Sequence, residues 1–175
     1  MNDRGDGYGG GIEARNRFAI EVARATVAAI GGERVGMRIS PYGVFNGTGP
    51  FPDLEPQYLE LTGALSELGL LYLHVLDHSA MGAPPVPAEI KTKLRETFNG
   101  FFILAGGFDL ESAEKALRAK RADPIAFGRS FLANPDLPKR FHKHTPLNEP
   151  DQATFYIPGP KGYVDYPVLA ESSSR

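Results

Sequence analysis

The chain has 175 residues, enough for one compact domain with a real core, and 42% of them are hydrophobic. Its 19 basic and 21 acidic residues leave a net charge of −2, so no global positive field draws it to nucleic acid or anionic lipid. There is no cysteine for disulfides or thiolate chemistry, no apolar leader in MNDRGDGYGGG and no apolar run of membrane-spanning length; the expectation is a soluble, cytoplasmic protein with a small-molecule ligand.

From Glu13 to Ile30, Phe18, Val22, Ala25 and Ala29 recur at helical spacing, and Gly31 and Gly32 stop the pattern. A strand follows from Arg34 to Ile39, with Val35, Met37 and Ile39 on one face and Arg38 on the other. A loop rich in Gly, Pro and Asn leads to a helix carrying Tyr58, Leu61, Leu65 and Leu68 and ended by Gly69. Leu70 to Leu76 reads as the second strand. A third helix puts Ile90, Leu94 and Phe98 in line, and Asn99-Gly100 turns into the strand FFILA. Asp109 is placed to cap a short helix carrying Ala113 and Leu117. Pro124 to Phe127 forms a fourth strand, followed by a short helical pattern through Phe131 and Leu132. From Pro146 onward a proline- and aromatic-rich tail is expected to wrap the body as ordered chain.

Helices alternating with near-continuous apolar strands indicate an α/β protein with parallel strands. Two architectures fit the pattern: a small doubly wound sheet, which length favours, or part of a (β/α)8 barrel. No linker divides the chain, so 1–175 is expected to be a single domain.

The glycines locate the candidate chemistry. The third strand ends in LAGGFD and the fourth in AFGRSF, each running into a helical pattern. Glycine there lets backbone N–H groups approach a phosphate, and Arg129 adds a fixed cation with a fork suited to phosphate oxygens. Ordinary turns account for either motif alone; two on consecutive loops favour phosphate binding by Gly106, Gly107, Gly128 and Arg129. Neither is a Walker loop or a GxGxxG fingerprint. Arg38 sits near the C-terminal end of its strand, where it either makes a structural ion pair or stabilises an electron-rich ring or carboxylate. His74, His78, His142 and His144 show no metal-ligand spacing, and structural or surface roles are expected of them.

Taken in order, YGGGIEARNRF, RVGMRISPYGVFN, LAGGFD, AFGRSFLANPDLPKRF and ATFYIPGPKGYVDYP resemble the C-terminal half of the old yellow enzyme family, over essentially the whole chain. These are FMN-dependent ene reductases and include the N-ethylmaleimide reductases. The resemblance implies an α/β fold that is the C-terminal half of a (β/α)8 TIM barrel, about four βα units with an ordered tail. It also implies FMN at the C-terminal ends of the strands, with NADH or NADPH as reductant and an electron-poor alkene as acceptor. Arg38 matches the arginine beside the pyrimidine edge of the flavin, and Gly106, Gly107, Gly128 and Arg129 match the FMN phosphate loops. Gly107 stands where many members have asparagine, so a side-chain contact is lost and the backbone donor kept. Tyr156 matches an aromatic residue on the substrate side. The family's substrate-binding pair, proton donor and flavin-ring glutamine belong to strands upstream of the segment that opens this sequence, so no catalytic residue is assigned. Open sheet edges then favour self-association or pairing with a complementary half-barrel. The alternatives are a truncated, inactive half-barrel that at most binds FMN, and an open-sheet phosphate-binding module unrelated to flavin.

Overall fold

The computed structural model describes residues 2–170, which form two compact units divided between Ala126 and Phe127. In the first, helices and strands alternate: α1 (Ile12–Ile30), β1 (Gly36–Ile39), α2 (Leu54–Glu67), β2 (Tyr72–Leu76), α3 (Ala88–Thr97), β3 (Phe101–Ala105), α4 (Leu110–Arg118) and β4 (Ile125–Ala126). All strand pairs are parallel, and the order across the sheet, β1-β2-β3-β4, is the order in sequence. A doubly wound sheet reverses direction at a switch point; this one does not. The arrangement is therefore the singly wound one of a barrel segment.

The register explains which side chains form the core. Ile39, Val75 and Leu104 align across the sheet, as do Leu73 and Phe102 one pleat earlier, and all five are buried. They pack with Leu61 and Leu65 of α2, Ile90 and Leu94 of α3, and Phe98. Ile90 is fully buried, so Ile90→Val removes one methylene from the centre of this cluster. The expected cost is about 1 kcal/mol, read as a lower urea midpoint at unchanged slope.

Arg38, His74 and Ile103 form the intervening row and point to the other face. That face is only partly covered: Arg38 is exposed, His74 and Ile103 are intermediate, and Phe101 is 57% exposed. The near-continuous apolar reading of the strands thus resolves into one fully packed face and one open face.

Local signals set most boundaries. Gly31 and Gly69, at φ 85° and 72°, end α1 and α2 in a conformation glycine adopts without strain. Asp109 caps α4 as expected, accepting from Ser112 N–H at 2.8 Å while its own N–H donates to Ser112 Oγ at 3.0 Å. Along α4 it is Ala113 and Ala116 that are buried, and the expected Leu117 is 40% exposed.

The expected stripe on α1 is on the wrong face. Phe18 is 68% and Val22 47% exposed, and Ala25 and Ala29 are exposed as well. The helix instead turns Asn16, Ala19, Ile20, Ala23 and Val27 inward. Small residues allow a close approach to α2, where the Asn16 side chain donates to the Gln57 carbonyl at 3.0 Å. Phe18 is met by Tyr8, edge to face at 6.5 Å. Among the described residues, no helix is long and apolar enough to cross a membrane.

The second unit contains α5 (Arg129–Ala133), α6 (Leu137–His142) and a 3-10 turn at Gln152–Thr154. The run KRFHKH is charged, yet Arg140 within it is 5% exposed. Arg140 Nε meets Asp136 at 2.8 Å, and its terminal nitrogens donate to the carbonyls of Pro146 at 2.8 Å and Pro167 at 2.9 Å. Asp136 also accepts from Leu169 N–H at 2.7 Å. Asn134 and Asn148 add a reciprocal pair, the Asn134 side chain accepting from Asn148 N–H at 2.7 Å and donating to its carbonyl at 3.2 Å. The described part of the tail is therefore ordered as expected, by one buried guanidinium with its partners and by the Asn134–Asn148 pair.

The hydrogen bond from Arg140, and then the Leu169 N–H, hold the Asp136 carboxyl below its ordinary value of 3.8. A carboxylate with a depressed folded-state pKa contributes stability above its ordinary pKa and loses it as pH falls through the folded value. Amide exchange at Leu169 is accordingly expected to speed up as pH falls below about 4, relative to the intrinsic rate at each pH.

Candidate functional site

The loops after β1, β2 and β3 gather at the C-terminal end of the sheet, the end at which parallel α/β folds build sites. Asp77, immediately after β2, organises this end. Its N–H donates to the Ala105 carbonyl at 2.8 Å, tying it to the last residue of β3. Its side chain, in a residue only 8% exposed, accepts from Ser79 N–H at 2.9 Å, Val86 N–H at 3.2 Å and Lys91 Nζ at 2.6 Å. Burial alone would raise its pKa; the Lys91 ammonium and the Ser79 N–H outweigh it and hold the carboxyl below the ordinary value. Sequence reasoning missed this residue, although Asp77 two positions before Ser79 is the spacing of an Asx turn.

Gly106 and Gly107 follow β3 at φ 111° and 69°. A Cβ on Gly106 would sit 1.9 Å from the Asp77 carbonyl oxygen, so the chain itself demands glycine there. Gly107 is exposed, and a Cβ on it would make ordinary contact with Ala80 at 3.4 Å. Among the described residues, neither glycine's N–H donates a hydrogen bond within the chain. Both N–H groups at the strand end are thus without an acceptor among the described residues, and Gly106 is held against Asp77.

Arg38 lies on the open face, in register with His74 on the neighbouring strand. Burial first, and the Arg38 charge second, lower the His74 pKa, so His74 is neutral at pH 7. Its Nε2 is buried and has no hydrogen-bond partner among the described residues. Arg38 and Gly106 are two strands and three residues apart, roughly 14 Å by sheet spacing and strand rise.

In the second unit, Gly128 precedes α5 at φ −88° and ψ −83°. A Cβ there would meet nothing within 4 Å, so neither backbone nor space requires glycine. Arg129 is the first residue of α5, which is only five residues long, so its macrodipole is small and the expected helix mouth is chiefly a set of N–H groups. Tyr156 is 92% exposed at φ 63°, its N–H donating to Tyr163 Oη at 2.8 Å. The structure thus brings Arg38, Gly106 and Gly107 to one unit and puts Gly128, Arg129 and Tyr156 on the other.

Residues 1–148 match the NADH:flavin oxidoreductase / NADH oxidase family. The chain belongs to that family. A relative, 12-oxophytodienoate reductase 2 of Arabidopsis thaliana, is 42% identical over 178 residues, covering 99% of this chain and 47% of its own length. Among solved structures, morphinone reductase superposes with a TM-score of 0.92 at 40% identity, over 99% of this chain and 46% of that one. The old yellow enzyme homologue from Zymomonas mobilis does so at 0.89 and 35%, over 96% and 48%. The chain spans about half the length of these relatives. Its singly wound sheet and helices are those of half a (β/α)8 barrel of the old yellow enzyme type.

Proposed function

We propose that this chain is the FMN-binding part of an old yellow enzyme type oxidoreductase, and that 1–175 is one partial barrel domain. FMN, when bound, supplies the relay of hydride from NADH or NADPH to an electron-poor alkene such as an enone or maleimide. The observation that carries the reading is the pair of unspent N–H groups at Gly106 and Gly107, fixed by the Asp77 turn at the C-terminal end of a sheet whose open face presents Arg38.

The residues fit such a ligand. Gly106 and Gly107 donate to phosphate oxygens without reorganising, because the turn is already fixed. At Gly128 the missing side chain leaves the backbone approachable, and Arg129 supplies a permanent charge in a forked geometry. Arg38 favours negative charge on an electron-rich ring laid over the open face, and the neighbouring His74, being neutral, adds no competing charge. Tyr156 is assigned to the substrate side. A cytoplasmic setting goes with this reading, since no cysteine calls for an oxidising one.

FMN titration tests it, with riboflavin as the phosphate-free control. Saturable quenching of flavin fluorescence, tighter for FMN than for riboflavin, is expected; a chain folded by circular dichroism that binds neither overturns it. We also assign the two edge strands, and the end of the open face at Phe101, away from Gly106 and Gly107, to pairing, with a complementary half-barrel or a second copy. Phe101 on that face and Phe18 and Val22 on α1 are apolar surface of the kind partners cover. Sizing is expected to show assembly, and a monodisperse monomer would count against it.

A further inference from the structure

A cavity of about 400 Å³ lies between the start of α1, the loop after β1 and the first turns of α2. Neither Arg38, Gly106 nor Gly107 lines it, so it is distinct from the surface assigned to FMN. Its walls are aromatic, from Tyr42, Phe51 and Tyr58, and Arg15 is the only charged side chain among its lining residues. No carboxylate lines it, and among the described residues none forms an ion pair with Arg15. The Arg15 guanidinium instead rests over the Phe51 ring, 5.5 Å from the centroid. Arg15 Nε and Gln57 Oε1 are buried in the same wall without a hydrogen-bond partner among the described residues. That wall therefore holds a desolvated donor and acceptor that no described residue satisfies. Burial pushes the Tyr58 phenol up, which keeps it a neutral hydroxyl at pH 7.

We propose that this cavity is a second small-molecule site, taking an aromatic carboxylate of benzoate size. The guanidinium fork matches a carboxylate edge, and the three aromatic walls match a planar apolar body. The volume lies in the range of small-ligand pockets. An uncharged ring would lose the charge-assisted hydrogen bonds, and a bare anion would lose the walls.

Benzoate titration of the FMN-free chain, followed by amide NMR shifts, tests this independently of the flavin reading. Saturable binding in the millimolar range is expected, with shifts at Arg15, Gly43 to Gly49 and Tyr58. Benzamide, the uncharged analogue, and inorganic phosphate should bind at least tenfold more weakly. Arg15→Gln should weaken benzoate at least tenfold. Gly49→Leu, at a lining position where a Cβ would meet nothing within 4 Å, should block the cavity while leaving Arg15 in place. The proposal is overturned by non-saturable binding, by equal affinity for benzoate and benzamide, by shifts confined to Arg38 and His74, or by affinity unchanged in both variants.

Discussion

Gly106→Ala is expected to destabilise the chain by about 4 kcal/mol, the sum of backbone strain and a forced displacement. The backbone at φ 111° lies where L side chains rarely go, and the added methyl would sit 1.9 Å from the Asp77 carbonyl oxygen. That oxygen cannot retreat cheaply. It belongs to a residue whose N–H is held by Ala105 and whose carboxylate is held by Lys91, Ser79 and Val86. For a chain of this size the loss corresponds to roughly a 10 °C fall in Tm, measurable by circular dichroism. A change within about 0.5 kcal/mol would show that the turn is looser than described.

Arg129→Ala is expected to weaken FMN binding by at least tenfold and leave riboflavin almost unchanged, since riboflavin has no phosphate to lose the charge-assisted contact. Gly128→Ala makes the sharper companion. Its backbone angles are open to other residues and its Cβ would touch nothing, so stability should stay within about 0.5 kcal/mol of the parent. FMN affinity should nevertheless fall several-fold, because the methyl occupies the space through which a phosphate reaches the backbone. If Gly128→Ala and Arg129→Ala bind FMN as tightly as the parent, the second unit does not grip the phosphate. A parallel loss of riboflavin binding would point to a general structural effect.

The sequence revealed most where burial follows a strict period in large aliphatic residues. Ile90, Leu94 and Phe98 could be aligned from spacing alone and are all buried. It misled where two faces of one helix are both apolar: on α1 the bulky Phe18 and Val22 outweighed Ala19 and Ala23, yet close packing on α2 selects the small residues. Arg140 was illegible as a buried hub because one of its acceptors, Pro167, lies 27 positions away and leaves no periodic trace. The glycines do fall just after strands, as read, but only the structure separates Gly106, which the fold requires, from Gly128, which it does not. Asp77 escaped because a buried carboxylate looks like any loop aspartate until its three partners are seen.

The matching of spatial to sequential order has a kinetic side. Each strand pairs only with the strands one helix before and after it, so the sheet forms without any long chain closure and can grow from one neighbour to the next. Opening should run the same way in reverse. Slowest amide exchange is expected in β2 and β3, which have a partner on both sides, and fastest at the two-residue β4, so the sheet unzips from its edges inward.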